Sequence, residues 1–260
     1  MINIHHLNCG TLIVDGYPTV VCHCLLLEDG GQLALLDTGI GLLDVEKPVE
    51  RLGQQLIEIA GFQFNESDTA VRRIEKLGYS VDRVKHIVLT HGDPDHTGGL
   101  ADFPQAVVHL ADEELSHAFS GHWRYVQSHF NHKPQWRTYP KSDQRWFGLE
   151  ARPVSLGFST EVLLIPLFGH TLGHCGVAIS NGDNQWLLHV GDAYYLRDEL
   201  TMDDHPVSAF AAQRADDDQA RIASLNELRR LFRDHNDQIE MLGYHDVNEI
   251  PNLETMGLQM

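Results

Sequence analysis

The chain has 260 residues, 42% of them apolar, and a formal charge of −18 with histidine neutral. That length suits one large domain or two small ones, and the charge disfavours a phosphate backbone, so no nucleic-acid partner is expected. No run approaches the roughly 20 apolar residues of a membrane helix. The start MINIHHLNCGTLIVDG lacks the basic and apolar regions of a signal peptide, so a cytoplasmic protein with no membrane partner is expected.

In chain order, the first part reads as strands. Residues 20–27 form a long apolar run, Glu28-Asp29-Gly30-Gly31 is a turn, and residues 33–36 return as a second strand ending in Asp37-Thr38-Gly39. Cys22 and Cys24 lie two apart, on one face of the first strand, and read as buried thiols. Leu52, Leu56 and Ile59 predict a helix over 49–60. Val71, Ile74 and Leu77 predict another, opened at Ser67 and stopped by Gly78. Residues 86–90 form a buried strand, a short helix follows Gly98-Gly99, 106–110 is a strand, and Asp112-Glu113-Glu114 starts a helix.

Residues 116–150 are rich in His, Trp, Tyr and Arg without strand alternation. They read as an insertion with some helix, either shaping a pocket (with His122, Trp123, Arg124, His129, His132 and Trp136 as wall and Arg124 meeting an anionic substrate) or serving as a structural excursion, a dimer contact or solvated surface. Strands return at 161–165, 175–179 and 186–190. A helix over 216–233 carries Ile222, Leu225, Leu228 and Leu231, and a last strand runs over 239–244. The order suggests two similar α/β halves in a single domain spanning 1–260.

Chemistry concentrates where strands end. The run THGDPDHTGG places His91, Asp93, Asp95 and His96 directly after an apolar strand. His170 in LFGH, Asp192 in LHVGD and His245 in LGYH each follow another. Loops at one sheet edge can converge side chains on a point. Imidazole and carboxylate together suit zinc, iron or manganese, and close carboxylates need a cation or proton between them.

HGDPDH, GHTLGH, GDAYY, the turn Leu36-Asp37-Thr38-Gly39 and the late His245 together resemble the metallo-β-lactamase superfamily over nearly the whole chain. The resemblance implies an α/β fold, a four-layer αββα sandwich, with one or two metals at the sheet edge. It implies two divalent ions, zinc by family, with iron or manganese also open. By position, His91 and His170 would serve the first ion, Asp95, His96 and His245 the second, and Asp192 would bridge. A bridging Asp resembles the glyoxalase, lactonase and phosphodiesterase-like branches.

The commonest family motif has His where this chain has Asp93. Three roles are open to Asp93: direct ligation, a water-bridged contact, or no contact at all. Three ionised carboxylates, Asp93, Asp95 and Asp192, would nearly neutralise two divalent ions and weaken their activation of water.

The activity so implied is hydrolysis of a small-molecule ester, lactone or thioester by a metal-activated water. Asp95 would orient the water. Tyr195, or else Tyr194, would polarise the substrate carbonyl or simply pack beneath the site. His174 would shape its loop, His23 would lie in the core, and Asp37 would fix its turn or orient a ligand. Two other classes stay open: a non-catalytic metal-binding protein, and a diiron oxidoreductase related to flavodiiron proteins.

Overall fold

The computed structural model describes residues 2–251. Its strands are β1 (Asn3–Leu12), β2 (Val20–Asp29), β3 (Gln32–Leu36), β4 (Phe62–Gln63), β5 (Val84–Val88), β6 (Val107–Ala111), β7 (Gln135–Tyr139), β8 (Arg145–Trp146), β9 (Leu149–Glu150), β10 (Arg152–Pro153), β11 (Val162–Pro166), β12 (Cys175–Gly182), β13 (Gln185–His189) and β14 (Ile239–Leu242). Its α-helices are α1 (Leu42–Glu46), α2 (Pro48–Leu52), α3 (Gln54–Ala60), α4 (Ala70–Lys76), α5 (Pro94–Thr97), α6 (Asp112–Ala118), α7 (Val207–Arg214) and α8 (Asp218–His235).

Two large sheets stack. One has the order β4-β1-β2-β3-β5-β6-β7 and the other β10-β11-β12-β13-β14, while β8 and β9 pair as a separate small hairpin. Period-two alternation sorts the strand side chains between layers. Leu25, Leu27, Ala34 and Leu36 face the second sheet and pack with Val162, Leu164, Val177 and Leu187. Their neighbours Leu26, Leu33 and Leu35 face the outer helices with Ile74 and Leu100, and Cys22 and Cys24 join that buried face. On the far side, Leu163, Ile165 and Leu188 pack beneath Leu225, Leu228 and Leu231 of α8. Helix, sheet, sheet, helix is the expected four-layer order.

Several expectations need correction. The helix expected over 49–60 is broken into α2 and α3 by Gly53 at φ 79°, a left-handed turn that suits glycine. The 116–150 segment is not wholly outside the sheet. Its β7 pairs parallel with β6 as an edge strand, and its alternation escaped notice because an edge strand of polar and aromatic residues carries little apolar contrast. Ile222 is 43% exposed, and Arg221 takes the buried position beside it. Helix α7, absent from the expected elements, packs over the end of the sheets that carries the motif.

Both sheets direct strand ends to one edge. β3 and β5 run parallel, so Asp37 and the residues after Val88 emerge side by side. β13 and β14 also run parallel, so Asp192 and His245 follow neighbouring strands. The two sheets are laced there by backbone bonds, His23 N to Tyr244 O at 2.9 Å and Val21 N to His245 O at 3.3 Å.

Candidate metal centre

After β5 the chain turns into α5, with Asp93 as N-cap and Pro94 in the first turn, where its fixed φ fits and its missing N–H is harmless. The Asp93 carbonyl accepts from His96 N at 3.0 Å and Thr97 N at 3.1 Å. Its side chain does not cap the helix and is free to turn elsewhere. The short helix projects Asp95 and His96 toward the sheet edge.

His96 is held by its outer nitrogen. Asp37 Oδ2 stands 2.9 Å from His96 Nδ1, and the same carboxylate accepts from Thr90 N and Thr90 Oγ1, each at 2.8 Å. A carboxylate on Nδ1 fixes the proton there and leaves Nε2 as a lone-pair donor. His245 is fixed likewise, with Nδ1 3.0 Å from Val21 O, and His91 by Nδ1 at 3.0 Å from Thr90 Oγ1. The Tyr244 hydroxyl donates to Asp95 O at 2.6 Å, and its ring stacks on His96 at 3.8 Å.

His170 sits in a turn made possible by Gly169 at φ 128°, where a Cβ would stand 2.0 Å from Arg221 N. Asp192 N donates to His174 Nε2 at 3.0 Å, and His174 Nδ1 donates to Leu167 O at 2.9 Å. Both His174 nitrogens are therefore engaged. Burial pushes that ring down to about 3, so it stays neutral.

Two groups of donor atoms result, His91, His170 and Asp192 in one and Asp95, His96 and His245 in the other, the atoms of each lying within 4.8 Å of one another. Asp192 stands between them. Its Oδ2 is 3.5 Å from His170 Nε2, 4.0 Å from His91 Nε2 and 3.1 Å from His245 Nε2, and its Oδ1 is 3.2 Å from His96 Nε2. In the second group, Asp95 Oδ2 is 3.6 Å from His245 Nε2 and 3.8 Å from His96 Nε2.

Tetrahedral ligands on bonds of about 2.0–2.2 Å stand about 3.3–3.6 Å apart. The donors therefore fit an ion in each group. His91 Nε2, His96 Nε2 and Asp192 Oδ1 are buried and without a hydrogen-bond partner, which is costly unless something binds them. The charges of this edge hold one another. Burial opposes a charged His96, but Asp192, Asp37 and Asp95 raise it well above the usual histidine range. Burial likewise opposes ionised Asp192, yet His245 and His96 hold it well below the usual carboxylate range.

The metallo-beta-lactamase superfamily profile matches residues 17–237. This chain belongs to that superfamily. Probable metallo-hydrolases of Mycobacterium tuberculosis and Mycobacterium bovis are each 35% identical over 94% of this chain and 80% of their own length. The fold is similar to an N-acyl homoserine lactone hydrolase solved with N-hexanoyl-L-homoserine at its catalytic metal centre, at TM-score 0.71 and 18% identity over 95% of this chain and 94% of that one. It is also similar to a dizinc quorum-quenching lactonase solved with the same product, at TM-score 0.58 and 18% identity over 90% of this chain and 75% of that one.

In this superfamily member the structure brings all seven expected ligand positions to one edge, with Asp93 beside the first group and held by a cation of the protein itself. Asp93 Oδ1 is buried without a hydrogen-bond partner. Its Oδ2 is 3.1 Å from His170 Nε2 and 3.5 Å from His91 Nε2, and it accepts from Arg124 Nη1 at 2.6 Å. Burial opposes the charge, but Arg124 holds Asp93 well below the usual carboxylate range.

Arg124 is thus buried at the centre and is not solvated surface, and its guanidinium faces Asp93 rather than the cleft. Of the expected aromatic and histidine wall, none borders the cleft above the donors. His129 is buried against Thr97 and Asp44, and Trp136 packs on Phe130. The cleft, about 150 Å³, is walled instead by Leu12 at the end of β1 with Val14 and Tyr17 after it, by Leu56 and Ile59 of α3, and by Val207, Phe210 and Arg214 of α7. Of these, Leu56 and Ile59 read in the sequence only as one face of a helix, and the others carry no expectation.

Tyr195 borders the cleft, with its hydroxyl 3.3 Å from His170 Nδ1. Tyr194 points away and donates to Glu249 at 2.9 Å. His23 is buried beside His6, with Nε2 at 2.9 Å from His6 Nδ1. Sequence reasoning missed Glu114. Fully buried, it accepts from Gly92 N at 2.8 Å, Tyr125 Oη at 2.9 Å, Thr171 Oγ1 at 2.6 Å and Gly173 N at 3.2 Å. It ties the motif loop to the His170 loop. An acid amid DEEL carries no sequence mark of such a task.

Proposed function

We propose that the protein is a metal-dependent hydrolase of a small ester or lactone carrying an apolar acyl chain. The observation that carries this reading is the pair of donor groups, joined through Asp192, at the floor of an apolar cleft. His91, His170 and Asp192 would hold one ion; Asp95, His96, His245 and Asp192 would hold the other. Zinc is the ion the family relationship favours, with iron and manganese compatible with the donor set. Divalent ions held there would lower the pKa of a water and polarise a carbonyl.

The protein's own residues do the rest. Asp95 and Asp192, both bordering the cleft, orient the attacking water. Tyr195 steadies the His170 ring and offers a hydroxyl to the substrate carbonyl. The cleft walls take the acyl chain and exclude water from it. The lactone hydrolases of similar fold make acyl lactones the first substrates to try.

The test is a panel of acyl homoserine lactones and aryl esters with chains of increasing length, assayed with zinc, iron, manganese and cobalt, alongside elemental analysis of each preparation. Turnover that requires added ions supports the reading. Two bound ions with no turnover of any substrate would favour a binding protein instead. A diiron oxidoreductase would instead show visible absorption from bound iron that bleaches on reduction.

A further inference from the structure

Arg124 lies in the 116–150 segment, 31 residues after the motif, yet it reaches the motif's core. It is 3% exposed. One amino group donates to Asp93 and stands 3.2 Å from His170 Nε2. The other donates to Arg214 O at the C-terminus of α7, and Nε stands 3.4 Å from Asp216 Oδ1. His117 and His122 gather around Asp216 from the other side, at 3.5 and 3.8 Å. Those three could suggest a further ion site, but His117 Nδ1 also faces Tyr125 Oη at 2.9 Å, and Asp216 already faces a guanidinium. The cluster is the outer brace of Arg124.

A buried guanidinium this close to a cation site would repel the ion if it stood alone. A buried carboxylate standing alone would add a third negative charge to those of Asp95 and Asp192. Each is tolerable because the other is there. With Arg124 counted, the four charged side chains Asp93, Asp95, Asp192 and Arg124 sum to minus two, as two carboxylates would with a neutral imidazole in place of the Asp93–Arg124 pair.

Resting on the two-ion reading above, we propose that Asp93 and Arg124 form one neutral unit beside the first ion. Arg124 is a positioning residue: it fixes Asp93 at the edge of the site, cancels its charge, and ties that edge to α7, the helix that walls the cleft. Asp93 serves as the counter-charge of Arg124, and its own bond to an ion is dispensable. The expectation of a nearly neutral site with weak water activation then falls away.

The test is cobalt(II) binding by the full chain, read by visible absorption and by elemental analysis after gel filtration, with no need for activity. Wild-type protein should take up two ions. Asp93→Asn leaves Arg124 uncompensated, and first-ion affinity should fall about 10- to 100-fold while the second ion, which reports that the fold is intact, stays bound. Asp93→Asn with Arg124→Met removes both charges, and the first ion should return to within about threefold of wild type. Asp93→Asn with Arg124→Lys keeps the lone charge and should stay impaired. A methionine double variant as weak as Asp93→Asn alone would show that Asp93 is needed as a ligand and overturn the proposal. So would Asp93→Asn with undiminished affinity. Wild-type protein that binds no ion would overturn the two-ion reading as well.

Discussion

The two donor groups share a carboxylate but are supported in different ways. Around the second, every support follows a strand: Asp37 after β3, Thr90 after β5, Val21 in β2, and Tyr244 and His245 after β14. The backbone ladders that set those strands also set the ligands. Around the first, only His91 and the shared Asp192 have that advantage. His170 lies in a glycine turn, and its surroundings are tied by buried side chains, Glu114 and Arg124, reaching in from α6 and the segment after it. Where ladders end, buried charged groups take over the work of positioning.

This contrast can be broken at several points. The largest effect should come from Asp192→Ala, which removes the carboxylate common to both groups. Both ions should be lost on elemental analysis, and activity should fall by more than about 100-fold. Retention of either ion at wild-type affinity would show that the two groups are independent.

Asp37→Ala should act on one group alone. The second ion should bind about 10- to 100-fold more weakly, with the first nearly unchanged, in cobalt titrations. Thr90 N and Oγ1 also lose their acceptor, so urea unfolding should report a loss of about 1–3 kcal/mol.

Acid sensitivity of the metal-free fold should extend beyond both groups. Burial beside His86 and Arg137 pushes His109 down to about 3. An unfolded histidine titrates near 6.5, so between those values the unfolded chain binds a proton that the folded chain refuses. The stabilisation is complete above about pH 6.5 and is lost as pH falls toward 3, by up to about 1.4 kcal/mol per pH unit. His109→Gln should shrink the stability difference between pH 7 and pH 5 in urea titrations. An unchanged difference would assign the acid loss elsewhere.

On the substrate side, kcat/KM should rise roughly fourfold per added methylene while the chain stays within the cleft. Phe210→Ala should flatten that slope. The smallest effect should come from Arg214→Gln, whose guanidinium lies over Trp123 at the cleft wall. It should raise KM for acidic substrates a few-fold, by about 1 kcal/mol or less, with neutral substrates unaffected.

The sheet sandwich was largely legible because apolar runs, alternation and turn glycines are local signals. The donor residues were legible because each follows such a run, so a strand end and a candidate ligand are announced together. Arg124 was not, since nothing near residue 124 records that β7 returns to the sheet and carries its neighbours over the motif. Glu114 was hidden for the same reason, being one acid among three. The cleft was misplaced because the aromatic segment offered conspicuous side chains, while of the walls Leu56 and Ile59 read as one face of a helix and Phe210 sits on a helix the sequence pattern did not announce. Gly53 could have announced the break before α3, but the helical spacing across it was more persuasive.

The lacing of β2 to the residues after β14 bears on how the protein is made. A chain grows from its N-terminus, and the first sheet is encoded by residue 139. His245 and the backbone bonds that seat it come more than a hundred residues later. During synthesis the HGDPDH segment therefore exists for some time without its last ligand, so a nascent chain cannot complete the site. The group of Asp95, His96 and His245 is assembled only when the last strand has docked, whereas His91, His170 and Asp192 are all encoded by residue 192.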